Sequence, residues 1–337
     1  MKRIKVIQIG IGHDHSTAIL ETLLKMDDVF ELAALAVPES EKKDFSDMIE
    51  KYKDNVRMAS VDEAMNISDI DAVIVETEEV NLTKYAAFAA EKGFPVHMDK
   101  PGGLDAAAFE RLIRLAEKNK TVLHIGYMYR YNETINEAVR KAKSGELGEV
   151  YCVEAHMDCR HTPEKRQWLA RFPGGMMFFL GCHLIDLILR IMGEPESIIP
   201  MNCSTNIDGV TGEDYGMVLF KYKNGVSFAK TCAAELGGFA RRQLVICGSK
   251  GTIELRPLEE YDSNGNLHTG VSFTDEKNGS DWNYSAEVTN SKPINRYEGM
   301  MNEFAKMVRG EAENPFDYEY ELKLYKILLR SCGAENI

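Results

Sequence analysis

The sequence predicts an α/β protein in two parts. Residues 1–126 form a doubly wound parallel sheet, and residues 127–337 an α+β domain with an open, largely antiparallel sheet. Three observations carry this. Short apolar runs alternate with helical patterns through the first third of the chain, the rhythm of parallel βαβ units. A Gly10-Ile11-Gly12 turn separates the first strand from the first helix. After about Gly126 the rhythm changes, and strands joined by hairpin signals dominate.

Residues 5–9 form the first apolar run and end at the glycine turn; Ser16–Lys25 follows with helical spacing. Residues 31–37 are the next strand, stopped by Pro38. Ser60-Val61-Asp62-Glu63 is a capping-box pattern that opens a short helix. A buried strand over 71–75, a helix over 82–92 stopped by Gly93, a strand over 95–98, an amphipathic helix over 105–119 and a strand over 122–125 complete the first domain. A helix over 133–144 opens the second, stopped by Gly145. Strands are expected over 150–157, 215–222, 226–233, 243–247 and 252–255, with Asn224-Gly225 and the Gly248–Gly251 stretch as hairpin turns. The polar stretch 262–283 reads as a long surface loop. Helices near 296–309 and 319–331 close the chain and are candidates to pack back on the first domain.

Composition narrows the function. With 337 residues, 44% hydrophobic and 28% charged, the chain has the makings of two ordinary globular cores. Its 40 basic and 53 acidic residues give a formal charge of −13, which repels a phosphate backbone and argues against nucleic acid. No signal peptide is apparent. The oiliest region, 176–192, contains His183, Asp186 and Arg190 and reads as a buried helix, not a membrane span. Seven scattered cysteines without a CxxC pair argue for a reduced, cytoplasmic setting.

A glycine turn between a strand and a helix is a dinucleotide site in the making. The first glycine permits the turn and the second admits a pyrophosphate, which the helix N-terminus then binds. Gly10, Gly12, His13, Asp14 and His15 are therefore candidate cofactor contacts in a Rossmann domain, with His15 at the place of a third glycine. His13 and His15 read as phosphate partners or exposed side chains, and no metal site is expected. The ribose-binding acid falls near Val37 and Glu39, and nothing at those positions chooses between NAD and NADP.

Three further constellations carry chemistry. Asp99-Lys100-Pro101-Gly102-Gly103 lies where a parallel strand ends, so Lys100 is placed to reach a substrate oxygen. The alternative is an ordinary turn lysine. His183, Asp186 and Arg190 share one helix face, on which Asp186 either orients His183 or pairs with Arg190; a satisfied core histidine is the plain alternative. Alternation along a strand puts His156, Asp158 and Arg160 on one face, with His161 opening the loop to Trp168. This is either a pocket lining or a polar strand end.

Taken in order, these motifs resemble the Gfo/Idh/MocA oxidoreductase family, which includes glucose–fructose oxidoreductases and inositol dehydrogenases. The likeness covers nearly the whole chain: the Gly10/Gly12 turn, the strand reaching Thr77, and Asp99-Lys100-Pro101 where the family has Glu-Lys-Pro. It continues through Gly126-Tyr-Met-Tyr-Arg130, the run from Gly174-Gly175 to His183 and Asp186, and Arg241…Gly248…Gly251. The resemblance implies NAD or NADP as cofactor, with Thr77, Asp99 and Lys100 joining its contacts, and a sugar-like, polyol or related hydroxy substrate. It implies an active site between two domains, and homodimers or homotetramers built on the exposed sheet face. Lys100 and His183 take the family's catalytic places, and Arg130, Asp158, Arg160, His161, Trp168 and His183 are candidate substrate contacts. Phe179 departs from the family by replacing its Asp, and Thr77-Glu78 replaces Thr-Pro. The expectation is an NAD(P)-dependent dehydrogenase acting on a CH–OH group. An NAD-assisted lyase or hydrolase, or a non-catalytic dinucleotide-binding protein, are the alternatives.

Overall fold

The computed structural model describes residues 2–277, 279–280 and 282–334. The chain divides into two compact units. One comprises Met1–Met128 with Arg296–Tyr325, and the other Tyr129–Asn295 with Lys326–Ile337.

In the first unit β1 (Ile4–Ile9), β2 (Phe30–Ala36), β3 (Met58–Ala59), β4 (Ala72–Val75), β5 (Val96–Met98) and β6 (Leu123–Ile125) form a parallel sheet in the order β3-β2-β1-β4-β5-β6. The connections carry α1 (Ser16–Lys25), α2 (Glu39–Lys42), α3 (Ser46–Tyr52), α4 (Val61–Met65), α5 (Leu82–Glu91) and α6 (Ala106–Asn119). Central strands covered on both faces read as unbroken apolar runs, and every residue from Ala72 to Val75 is buried. The predicted capping box is complete: Ser60 accepts the Glu63 N–H, and Glu63 accepts the Ser60 N–H at 2.8 Å. Asp105 caps α6 by accepting the Ala108 N–H at 2.9 Å. Strand order reverses between β1 and β4, and in such sheets the crevice outside the carboxyl ends at that point is where ligands bind.

The second unit contains α7 (Glu133–Lys143), β7 (Val150–Asp158), α8 (Pro163–Trp168), α9 (Cys182–Met192), β8 (Ser197–Cys203), β9 (Tyr215–Tyr222), β10 (Gly225–Cys232), β11 (Gln243–Gly248) and β12 (Gly251–Leu255). Its eight-stranded sheet runs from Glu287–Asn290 through Gly270–Asp275, β12, β11, β7, β10 and β9 to β8. All pairs are antiparallel except β7 with β10. The buried α9 packs on β7 and β10, and a π-helical turn, Met177–Gly181, leads into it.

Two local expectations change. The stretch 262–283 is not a long loop, because Gly270–Asp275 pairs in register with β12 and extends the sheet. Its alternation is weak since both faces are half-exposed, so polar composition hid the strand. The β9–β10 hairpin turns at Lys223-Asn224, while Gly225 already pairs with Tyr222.

The helices α10 (Glu298–Arg309) and α11 (Tyr318–Ser331) close the chain. In the first unit Phe304 of α10 lies against the His97 and His124 rings, and the Tyr325 hydroxyl donates to the Gly103 carbonyl at 3.0 Å. Among the described residues no helix is long and apolar enough to cross a membrane.

Candidate functional site

The carboxyl ends of β1, β4 and β5 bring the glycine turn, Glu76-Thr77 and Asp99-Lys100 together. Gly10 has a φ of 91°, and a Cβ there would lie 2.5 Å from Thr77 Cγ2 and 2.6 Å from the Thr77 backbone, so only glycine permits this closeness. Beyond it, the Ile11 and Gly12 N–H groups point at one oxyanion, the Glu41 carboxylate, at 2.8 and 3.1 Å. The other Glu41 oxygen accepts the Glu78 N–H at 2.8 Å. Burial raises the Glu41 pKa, and the three N–H bonds work against that rise.

The histidines of the turn face inward. His13 is fully buried; its Nε2 lies 3.0 Å from the Lys100 carbonyl, and its Nδ1 accepts the His15 backbone N–H at 3.1 Å. The second bond needs a lone pair on Nδ1, so the ring proton sits on Nε2 and donates to Lys100. Burial lowers the His13 pKa to about 3, keeping the ring neutral. His15 Nδ1 reaches Asp99 Oδ2 at 3.0 Å, and His13 Nδ1 lies 3.3 Å from the same oxygen. The other Asp99 oxygen accepts the Lys100 N–H at 2.6 Å. Gly126, just after β6, leaves room for this acid, for a Cβ there would lie 3.0 Å from Asp99 Cα.

Glu76, directly after β4, is buried beside Asp99, with oxygens 3.5 Å from His97 Nε2 and 3.9 Å from His13 Nδ1. Burial first, and the Asp99 charge second, push its pKa well above the usual carboxylate range. Asp99 titrates well below that range despite its burial, held down by His13, His15 and Lys100. The Lys100 side chain is itself 1% exposed.

Other expected cofactor contacts lie apart from this cluster. Val37 packs in an apolar core with Ile11, Leu20 and Tyr52. Glu39 is exposed and paired with Lys42 at 2.7 Å, while Glu41, one turn position later, reaches the glycine turn. Asp14 is exposed on that turn. Glu41, Glu76 and His97 were not singled out from sequence. Glu76 did carry a signal, being a charge that ends a wholly apolar strand.

In the second unit Arg130 grips Asp186 with Nε and a terminal nitrogen at 3.1 and 2.9 Å, both side chains being buried. Asp186 thus pairs with a residue outside its own helix, and Arg190 donates to Asn136 at 2.7 Å. His183 is buried with its ring edge-on to Tyr129, centroids 5.2 Å apart. Asp158 is buried with Lys230 Nζ at 3.0 Å, whereas Arg160 is exposed. His161 and Trp168 both meet Phe179, at 6.4 and 5.6 Å between ring centroids, and Phe172 stacks on it. Lys165 lies over both the Trp168 and Phe179 rings. The place of the family Asp is thus the centre of an aromatic cluster.

Two family models match this chain. The model of the oxidoreductase family with an NAD-binding Rossmann fold covers residues 4–127, and the GFO/IDH/MocA C-terminal domain model covers 135–254. The chain belongs to the Gfo/Idh/MocA oxidoreductase family. Membership makes it an oxidoreductase whose cofactor is a nicotinamide dinucleotide. Among curated relatives, the uncharacterized oxidoreductase YhhX of Escherichia coli is 29% identical over 42% of this chain, a match spanning 40% of YhhX. The myo-inositol 2-dehydrogenase of Thermotoga maritima is 24% identical over 82% of this chain and 79% of its own length. Among solved structures, the aldose–aldose oxidoreductase of Caulobacter crescentus superposes with a TM-score of 0.77 at 19% identity, covering 98% of both chains. A Desulfitobacterium hafniense protein provisionally described as an NADPH-dependent oxidoreductase gives 0.82 at 15%, over 99% of this chain and 96% of that one. At such identities the superpositions speak for the fold alone.

The turn fits the family's cofactor. Its two convergent N–H groups, on the turn that leads into α1, already hold an oxyanion, which is what a pyrophosphate requires. The Ile11 and Gly12 N–H groups would hold the phosphates, in place of the Glu41 carboxylate that they hold here.

Proposed function

We propose that this family member is an NAD(P)-dependent dehydrogenase acting on the CH–OH group of a sugar, polyol or related hydroxy compound. The observation that carries the reading is the Lys100 ammonium, buried at the end of β5 beside an oxyanion-holding glycine turn. The bound nicotinamide supplies or accepts a hydride. Lys100 holds the substrate oxygen and stabilises negative charge on it, which is worth more in a buried site than in water. His183 is the candidate proton carrier of the second unit, since a histidine's ordinary pKa suits proton transfer near neutral pH. The inositol dehydrogenase relative supports a polyol-like substrate.

The protein is further proposed to be a cytoplasmic homo-oligomer. One face of its sheet carries Ile199 and Met201 on β8 opposite Leu219 and Met217 on β9, with Phe228 beyond, and Ile199 and Met201 are exposed. Light scattering after size exclusion tests this, and a monomer at working concentration overturns it.

The activity test is a calorimetric titration with NAD(H) and NADP(H), followed by a sugar and polyol screen with the form that binds. Lys100→Ala should retain cofactor binding and lose turnover by about 100-fold or more; unchanged turnover removes Lys100 from the reaction. A second reading is an elimination or hydrolysis in which nicotinamide is reduced and reoxidised within each turnover. Product formation without net NADH release distinguishes it.

A further inference from the structure

The cluster at the ends of β1 and β5 offers more than phosphate binding. We propose that His13, His15 and Asp99 form a binding site for a divalent transition-metal ion of the zinc(II) class. One ligand atom from each lies within 4.8 Å of the others. Asp99 Oδ2 is 3.0 Å from His15 Nδ1 and 3.3 Å from His13 Nδ1. Metal–ligand bonds of about 2.0–2.2 Å in tetrahedral geometry place neighbouring ligand atoms at about this separation.

The surroundings suit a cation. The Lys100 carbonyl holds the His13 proton on Nε2, which leaves the lone pair on Nδ1, 3.3 Å from Asp99 Oδ2; an outer carbonyl fixing a tautomer in this way is the usual support of a metal-bound imidazole. Two more buried carboxyl groups lie against His13, Glu76 at 3.9 Å from Nδ1 and Glu79 at 3.7 Å from Nε2. Neither Glu76 oxygen accepts a hydrogen bond within the described residues.

Two features oppose the ion. The His13 lone pair accepts the His15 N–H, a bond that coordination would weaken, and the positive end of α1 is nearby. Two imidazole nitrogens and a carboxylate oxygen are nonetheless a donor set that suits this class of ion. The competing account is that Asp99 merely accepts a hydrogen bond from His15. Three protein ligands leave a coordination position open, as at catalytic centres, so the ion would be a Lewis acid for a hydroxyl or carbonyl oxygen. This proposal does not rest on the dehydrogenase reading.

The test uses tag-free full-length protein. Metal content is measured by mass spectrometry as purified, and the chelator-stripped protein is titrated with zinc(II) by calorimetry and with cobalt(II) by visible absorption. About one equivalent per chain is expected. It should be lost in His15→Ala and Asp99→Asn and kept in His268→Ala, a histidine of the second unit. Should a variant fail to fold by circular dichroism, X-ray absorption of the cobalt-loaded wild type decides, two imidazole ligands supporting the site and one or none overturning it. Substoichiometric metal with no cobalt spectrum in the wild type, or binding unchanged in both folded variants, also overturns it, whatever the outcome of the nicotinamide titration.

Discussion

Glu41 Oε2 accepts the backbone N–H of Ile11 at 2.8 Å, so a carboxylate from α2 closes the mouth of the glycine turn. Replacing it by glutamine keeps the shape and removes the charge. One N–H of the turn or of Glu78 then loses a charged acceptor, at a cost of about 1–3 kcal/mol in unfolding free energy, measured by urea denaturation. A carboxylate repels a phosphate on the adenosine ribose. Glu41→Gln should therefore shift the ratio of NADP to NAD affinity toward NADP, by about tenfold for each ~1.4 kcal/mol of repulsion removed. Calorimetry with both forms checks this, and an unmoved ratio places Glu41 away from the ribose.

Gly10 is required twice over, by its positive φ and by the Thr77 backbone 2.6 Å from where a Cβ would stand. Gly10→Ala should destabilise the protein by about 2 kcal/mol or more. Gly265→Ala, where φ is also positive but no atom lies within 4 Å, should cost less. Thermal denaturation of the pair separates crowding from backbone strain.

Arg130 and Asp186 form a buried two-pronged ion pair. Removing one partner strands the other without its counter-charge, so Asp186→Leu should cost about 3–5 kcal/mol. The double replacement Arg130→Met with Asp186→Leu should cost clearly less than the two single changes added together, because it strands no charge. Additive costs would show that the two side chains act independently.

Burial pushes the Asp158 carboxyl up to about 6, against the pull of Lys230 at 3.0 Å. An unfolded aspartate titrates near ~3.9, so between these values the folded protein binds the proton more tightly than the unfolded chain does. The contribution of this group to stability is full below about pH 4 and is lost as pH rises to about 6. Unfolding free energies of the wild type and Asp158→Asn, compared across that range, should diverge in this sense. Parallel curves would show that Asp158 titrates as an ordinary carboxyl.

Much of the scaffold was legible along the chain because its signals are local. The β4 strand, buried on both faces, had to be continuously apolar, and the capping box needs only Ser60 and Glu63. Gly270–Asp275 was hidden for the opposite reason: a strand near the sheet edge with half-exposed faces carries no strong alternation. The candidate site divides in the same way. Gly10, Gly12 and Lys100 stand in local motifs at strand ends. Glu41 is not a turn residue, and only the packing of α2 brings it to Ile11.

The sequence by itself determined the two-part α/β architecture, the glycine turn and the lysine at the end of β5, since each depends on residues close together in the chain. Tertiary structure alone decided that Asp186 pairs with Arg130 rather than Arg190, that Phe179 joins Trp168 and Phe172, and that His13 and His15 meet Asp99. Those pairings join residues far apart in sequence. Buried charges and rings take the partners that the sheets and helices place within reach, and spacing along the chain does not reveal which partners those are.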